Sequence, residues 1–285
     1  MIKCNVLTMN CVVYTQENDI LWLISNTLKQ LEDDPLSHPQ LKVFLKFRSL
    51  RLIDVRIKGI FEFQMGEEGG TAQLLPLNLD ISSLQLWNLA ELNFIWKGPT
   101  AFLSLQNLET ASVGGCPKLK TIFSTTVVIS LPMLKYLTIC NCDELEQIGD
   151  AQQLKTLSSS QQLCFPKLSF ITIKHCHKLK YIFYNLSVSH FTSVKKLEIV
   201  NCSQLHKAFG FEHEADDDGL EEMGKDGKQL LLHNLKDITL TDLPNFQEIH
   251  HGFKLTEDVR HTIRECPKYS PCLYLHPGKL HMPFF

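Results

Sequence analysis

The sequence predicts an α/β solenoid: an irregular leucine-rich-repeat horseshoe with short parallel strands on its concave face and a mostly irregular convex side. Three observations predict it. An apolar pattern with offsets 0, 3, 5, 8, 11 and 14 returns along the 285 residues. Several intervals between its starts are 26 or 27 residues, inside the ~20–29 residue range of such repeats. No long helical stretch separates the copies, so an ordinary α/β sheet, the competing architecture, leaves the pattern's return unexplained.

The elements follow in chain order. Residues 1–44 are read as an N-terminal helical or capping segment. Within it Ile20, Leu23, Ile24, Thr27, Leu28 and Leu31 make one helical stripe, with Asn18 or Asp19 as N-cap and Pro35 and Pro39 marking the break. The repeat domain spans 45–270. A weak copy begins at Phe47 with Leu50, Leu52 and Val55, and a full one follows in Ile81, Leu84, Leu86, Leu89, Leu92 and Ile95. Leu108, Leu134, Leu168, Val194 and Leu235 start the next copies, giving intervals of 34, 27, 26, 34, 26 and 41 residues. A last partial copy keeps Ile263, Cys266 and Tyr269. The longer intervals need loop insertions: GEEGGTAQ (66–73), AQQLKTLSSSQQ (151–162), and an acidic loop over 211–229. That acidic loop packs seven carboxylates and three glycines into HEADDDGLEEMGKDGKQ (213–229), a composition expected to stay mobile. Residues 271–285 form a C-terminal tail.

Each offset has a physical task. Offsets 3 and 5 alternate as in a strand and point to one face. Offset 8 lies where the chain leaves the strand and takes a small, readily buried side chain. Cys116, Cys142, Cys176, Cys202 and Cys266 recur there, and a cysteine's weak S–H donor can meet a backbone carbonyl. Offsets 11 and 14 return to the core from the other side. No copy can bury its own leucines alone, so stacked copies share one core. Pro132 and Pro166 precede the strand, where a missing N–H costs little.

Composition bounds the function. A hydrophobic share of 44% with 21% charged residues is globular, and a net charge of -3 offers no basic field for nucleic acid. No apolar run approaches the ~20 residues of a transmembrane segment, and the N-terminus carries no signal-peptide pattern. The ten cysteines are therefore expected as reduced interior thiols. Cys140 with Cys142, and His175-Cys176-His177, lack the spacing of a zinc site. The DDDG stretch lacks the order of a calcium loop. No cysteine lies beside an evident oxyanion site, and no phosphate-binding or metalloprotease motif occurs. The chain is expected to be no enzyme, with no catalytic, metal or cofactor-binding residues.

The expected working surface is the strand face opposite the core. Offsets 2, 4 and 6 give outward columns, and the candidate protein-binding residues on that concave face are Tyr136, Thr138, Phe170, Thr172, Lys174, Lys196, Glu198 and Asp237. Threonine is ordinary solvent-facing strand surface. Tyr136 and Phe170, adjacent in one column beside lysines, are the combination that protein interfaces enrich.

The phrases GGCPKLKTIF, LPMLKYLTICNCDELEQI and FPKLSFITIKHCHKLKYIF resemble the C-terminal leucine-rich region of plant intracellular disease-resistance proteins, of the coiled-coil, nucleotide-binding, leucine-rich-repeat receptor class. The resemblance covers residues 45–270 and implies cytoplasmic recognition of a pathogen effector or of a host protein guarded against one. It also implies restraint of a nucleotide-binding switch, which binds ADP at rest and ATP when active. The phosphate loop and coiled coil of that class are missing from this chain, so nucleotide binding is not carried onto it. The alternative is a leucine-rich-repeat adaptor, such as a substrate receptor of a ubiquitin ligase. An F-box-like N-terminal pair of helices would favour it, and one helix candidate is visible.

Overall fold

The protein is described by a computed structural model over residues 2–3, 49–54, 56–63, 77–78, 81–97, 103–123, 131–149, 165–184, 191–210, 232–249, 254–255, 258–269 and 272–273. Alternation creates its strands. In Tyr136–Cys140, Leu137 and Ile139 are buried while Tyr136, Thr138 and Cys140 lie on the other side, and Phe170–Lys174 repeats the arrangement. Eight such five-residue strands form one sheet. Its spatial order is Arg260–Arg264, Asp237–Thr241, Lys196–Val200, Phe170–Lys174, Tyr136–Cys140, Thr110–Gly114, Ser83–Trp87 and Ser49–Ile53. Every neighbouring pair is parallel.

Register follows the repeat residue by residue. Tyr136 faces Thr110 on one side and Phe170 on the other, and Phe170 faces Lys196. Neighbouring strands are thus 26 residues apart in one place and 41 in another without a slip, since Lys196 pairs with Asp237. The extra chain falls between units, and the register of the ladder continues unchanged across it.

One residue after each of these eight strands turns into the left-handed region. Seven are not glycine: Asp54, Asn88, Asn141, His175, Asn201, Asp242 and Glu265, with φ between 52° and 56°; the eighth is Gly115. Asn, Asp and His tolerate this conformation better than other side chains. The turned residue aims its N–H at the next strand. Gly115 N–H donates to the Cys140 carbonyl, Asn141 to Lys174 and His175 to Val200, each at 2.9 Å.

In five of the eight units a cysteine two residues after the strand end completes that junction. Cys142 Sγ donates to the same Cys140 carbonyl at 3.4 Å, and Cys176 Sγ to Lys174 at 3.4 Å. Cys116, Cys202 and Cys266 do likewise with Gly114, Val200 and Arg264. One carbonyl with two lone pairs thus accepts from its own unit's thiol and from the preceding unit's backbone. The expected thiol–carbonyl contact is present in every unit that carries the cysteine.

Two turns flank each strand from Thr110–Gly114 to Asp237–Thr241. The later one closes from offset 8 to offset 11, as in Leu145 N–H to Cys142 O at 3.1 Å. Pro117, Pro244 and Pro267 fill its second position, where a preset φ suits a turn. The earlier turn runs from Leu131 to Leu134 and from Phe165 to Leu168, with Pro132 and Pro166 in the same position. Its first residue is a core position outside the six-point pattern: Leu105, Leu131, Phe165, Phe191 and Leu232 are all buried.

The return flank departs from the expectation of an irregular convex side. Thr121–Phe123 pairs in parallel with Gln147–Gly149, Tyr181–Tyr184 with Lys207–Gly210, and Gly59–Phe63 with Phe94–Lys97. No helix occurs among the described residues, so the helical part of the α/β expectation is not met there. The main strand, two turns and a short second strand together use most of a 26-residue unit. The core between the flanks holds every full copy's offsets, Leu108 to Ile122 and Leu168 to Ile182 included. Beside it Phe183 packs on Phe165 and Phe191 with centroids 4.9 and 4.7 Å apart, and Phe191 on Phe209 at 4.5 Å.

The ends differ from the middle. In the first unit Ile57 and Ile60 fill the return positions, one residue earlier than the spacing elsewhere. In the last, Ile263, Cys266 and Tyr269 pack against the core but stay partly exposed. Ile2–Lys3 pairs antiparallel with Glu62–Phe63, and Cys272–Leu273 of the tail pairs in parallel with Lys254–Leu255. The predicted helix at 19–34, Phe47, Val55, the three insertions and residues 274–285 lie outside the described residues.

Candidate protein-recognition face

The sheet alternation that buries offsets 3 and 5 sends offsets 2, 4 and 6 outward, and the register aligns them across units. Tyr136, Phe170, Lys196 and Asp237 are successive partners in one column, and Thr138, Thr172 and Glu198 in the next. Lys174 follows Cys140 in the third, where the Trp87 ring covers Gly114 so closely that an added Cβ would lie 2.2 Å from it. The eight predicted contact residues therefore share one face across four adjacent strands.

Tyr136 and Phe170 are the exposed large apolar side chains among the described residues, at 45% and 37% of full exposure. Their rings stack with centroids 5.1 Å apart and planes 11° from parallel, a geometry worth about 0.5–1.5 kcal/mol beyond area burial when desolvated. Adjacent parallel strands hold them at this spacing, so they form a platform already assembled.

Charge divides the face. Lys174 and Lys196 both reach the Glu198 carboxylate, at 2.5 and 3.0 Å. The hydrogen bond from Lys174, aided by Lys196, holds the Glu198 carboxyl below its ordinary 4.5 against the opposing effect of burial. Arg260 reaches Asp237 at 2.8 Å. This part of the surface neutralises itself.

The edge where the strands begin differs. A cavity of about 360 Å³ opens there, walled by Lys135, Lys167 and Lys195 and floored by the Tyr136–Phe170 pair. Among the described residues no carboxylate lines it. Outward alternation alone does not find these lysines, which sit one residue before or after the first core position of a unit. Their signal is the lysine beside that leucine or valine in PMLKY, PKLSF and SVKKL.

The cysteine column stays inside. Cys116, Cys142, Cys176 and Cys202 are buried, while Cys140 lies on the outward face and Cys266 is partly exposed at the end. The side-chain hydrogen bond shared with Cys116, then burial, pushes the Cys142 thiol far up; Cys202 and burial do the same to Cys176. Such thiols are protonated and poor nucleophiles. Among the described residues no group of three or more His, Cys, Asp or Glu side chains could hold a metal ion. His175 instead meets the Asn201 side-chain amide at 2.9 Å, joining two left-handed corners. No helix among the described residues is long and apolar enough to cross a membrane.

A family model described as "Plant disease resistance protein RPS2-like, leucine-rich repeats" matches residues 21–143 and 145–257. The chain belongs to this leucine-rich-repeat family of plant disease-resistance proteins. Within curated proteins it is similar to "Probable disease resistance protein At4g27220" of Arabidopsis thaliana, 28% identical over 130 residues. That stretch is 45% of this chain and 13% of the relative's length. No solved structure matches. As a disease-resistance leucine-rich-repeat domain, the molecule is a scaffold for protein–protein recognition, and its repeat frame is the one described above.

Proposed function

We propose that the chain is a protein-recognition module of plant innate immunity. It senses a pathogen effector, or a host protein modified by one, through the outward strand face. In doing so it regulates a nucleotide-binding switch outside this chain, within the cytoplasm. The observation that supports this reading is the stacked Tyr136–Phe170 platform, held in the open by two adjacent strands beside the Lys174, Lys196 and Glu198 cluster. Exposed aromatic anchors ringed by polar groups are the usual energetic centre of a protein interface. The working contacts are assigned to Tyr136, Thr138, Phe170, Thr172, Lys174, Lys196, Glu198 and Asp237.

The test uses a photo-crosslinking residue placed at Thr138 or Thr172, and at Lys120 on the return flank as control, in infected plant tissue. Cross-links to an effector, a host target or a nucleotide-binding domain from the outward face alone are expected. Cross-links that come mainly from Lys120 would sink the assignment of the face.

A further inference from the structure

From the edge cavity we infer the chemistry of the partner: it presents an acidic peptide segment with an aromatic or long aliphatic side chain between its carboxylates. This rests on the protein-recognition reading and specifies its partner. The argument begins with unmatched charge. Lys135 is met by Glu109 at 3.0 Å. Among the described residues, by contrast, Lys167 Nζ has only the uncharged Met133 thioether within hydrogen-bonding reach, at 3.0 Å, and Lys195 Nζ has no ion-pair partner. The neighbouring lysines of the face, Lys174 and Lys196, are spent on Glu198. Positive charge is therefore left over at this groove, while Lys174 and Lys196 beside it are neutralised.

The floor and the polar rim select among anions. Tyr136 and Phe170 cover each other's inner ring faces and leave apolar ring edges in the open, which an aromatic side chain meets edge to face. Ser169 Oγ donates to the Lys167 carbonyl at 2.9 Å, Ser193 Oγ to Pro166, and Asn234 Nδ2 to the Thr192 carbonyl at 2.7 Å. The two hydroxyl donors and one Asn234 N–H are thus committed, and hydroxyl lone pairs and the Asn234 carbonyl oxygen remain at the rim as acceptors beside the second Asn234 N–H. Acceptors suit the backbone N–H groups of an extended peptide. The lysine ammonium groups would take a phosphate as readily as a carboxylate, so it is the apolar ring pair and the rim acceptors, not the cations, that favour a peptide. Carboxylates on the lysines, an apolar side chain on the ring pair and a peptide backbone along the rim satisfy all three sets of groups.

The experiment is fluorescence anisotropy of the purified chain with a labelled Asp-Glu-Trp-Glu-Asp probe. An Asn-Gln-Trp-Gln-Asn probe, an Asp-Glu-Ala-Glu-Asp probe and an oligothymidylate serve as comparisons. The acidic tryptophan probe is expected to bind most tightly, and more weakly as sodium chloride rises. Lys167→Glu with Lys195→Glu is expected to weaken it more than about tenfold, while Lys120→Glu on the return flank leaves it unchanged. Phe170→Ala is expected to weaken the tryptophan probe and leave the alanine probe as it was. Equal binding of the neutral probe, or an unaffected double variant, would overturn the inference. So would tighter binding of oligothymidylate, which would assign the groove to a polyanion. Because exposed lysines carry the test, unchanged circular dichroism separates lost binding from lost folding. If the probes fail while the cross-links from Thr138 and Thr172 persist, recognition by the face stands and only the partner's chemistry is wrong.

Discussion

At the scale of single residues, the left-handed corner after each strand is the most demanding position. A β-branched side chain there is strained, so Asn141→Val is expected to lower stability by about 1–2 kcal/mol. Asn141→Gly, which copies the corner already present at Gly115, should stay within about 0.5 kcal/mol of the parent. Urea denaturation of both variants checks the contrast, and equal losses would mean that the side chain, not the backbone, matters. Glu198 makes a second residue-scale case. Its carboxyl is held low by Lys174 and Lys196, so its contribution to stability is complete above about pH 4.5 and is lost as pH falls through the depressed folded value. Glu198→Gln is expected to cost on the order of 1 kcal/mol at pH 7 and nearly nothing once the pH has fallen through that depressed value. Denaturation midpoints across that range measure it; a constant gap would show that charge is not the cause.

At the scale of the element, the repeated unit is two flanks joined by turns, with thiols and phenylalanines at its seams. Phe183 is buried among Phe165, Phe191 and Phe209, so Phe183→Ala is expected to cost about 3–5 kcal/mol. Phe170→Ala on the open face should cost far less. Brief treatment with iodoacetamide should label Cys140 and Cys266 before Cys116, Cys142, Cys176 and Cys202; peptide mass spectrometry reads the order. Early labelling of Cys142 or Cys176 would mean the column opens readily. The strands, their register and this column were legible because each offset meets one environment in every copy. The corner residues were not, since Asp, Asn, Gly, His and Glu share no hydrophobicity, only a tolerance of positive φ. Leu131, Phe165 and Phe191 escaped notice for another reason: a turn separates them from the strand, so they fit neither a period of 2 nor one of 3.6. Of the candidate face, the columns follow from alternation, whereas Lys135, Lys167 and Lys195 gather only when three units lie side by side.

At the scale of the whole molecule, contacts run between neighbours, so stability is a sum of units and their interfaces. The middle strands have partners on both sides, whereas Arg260–Arg264 is an edge strand with mostly exposed side chains. Amide hydrogen exchange is therefore expected to be fastest in Arg260–Arg264 and slowest in Tyr136–Cys140 and Phe170–Lys174. Uniform protection along the sheet would contradict a linear stack. The unequal connectors carry a wider consequence. Segments as different as those joining Gly149 to Phe165 and Gly210 to Leu232 return to the sheet at the same place, just ahead of the lysine-lined edge. Mutation can lengthen or rewrite such a segment without disturbing a single rung. Such a repeat family thus has room for sequence novelty right beside the candidate edge.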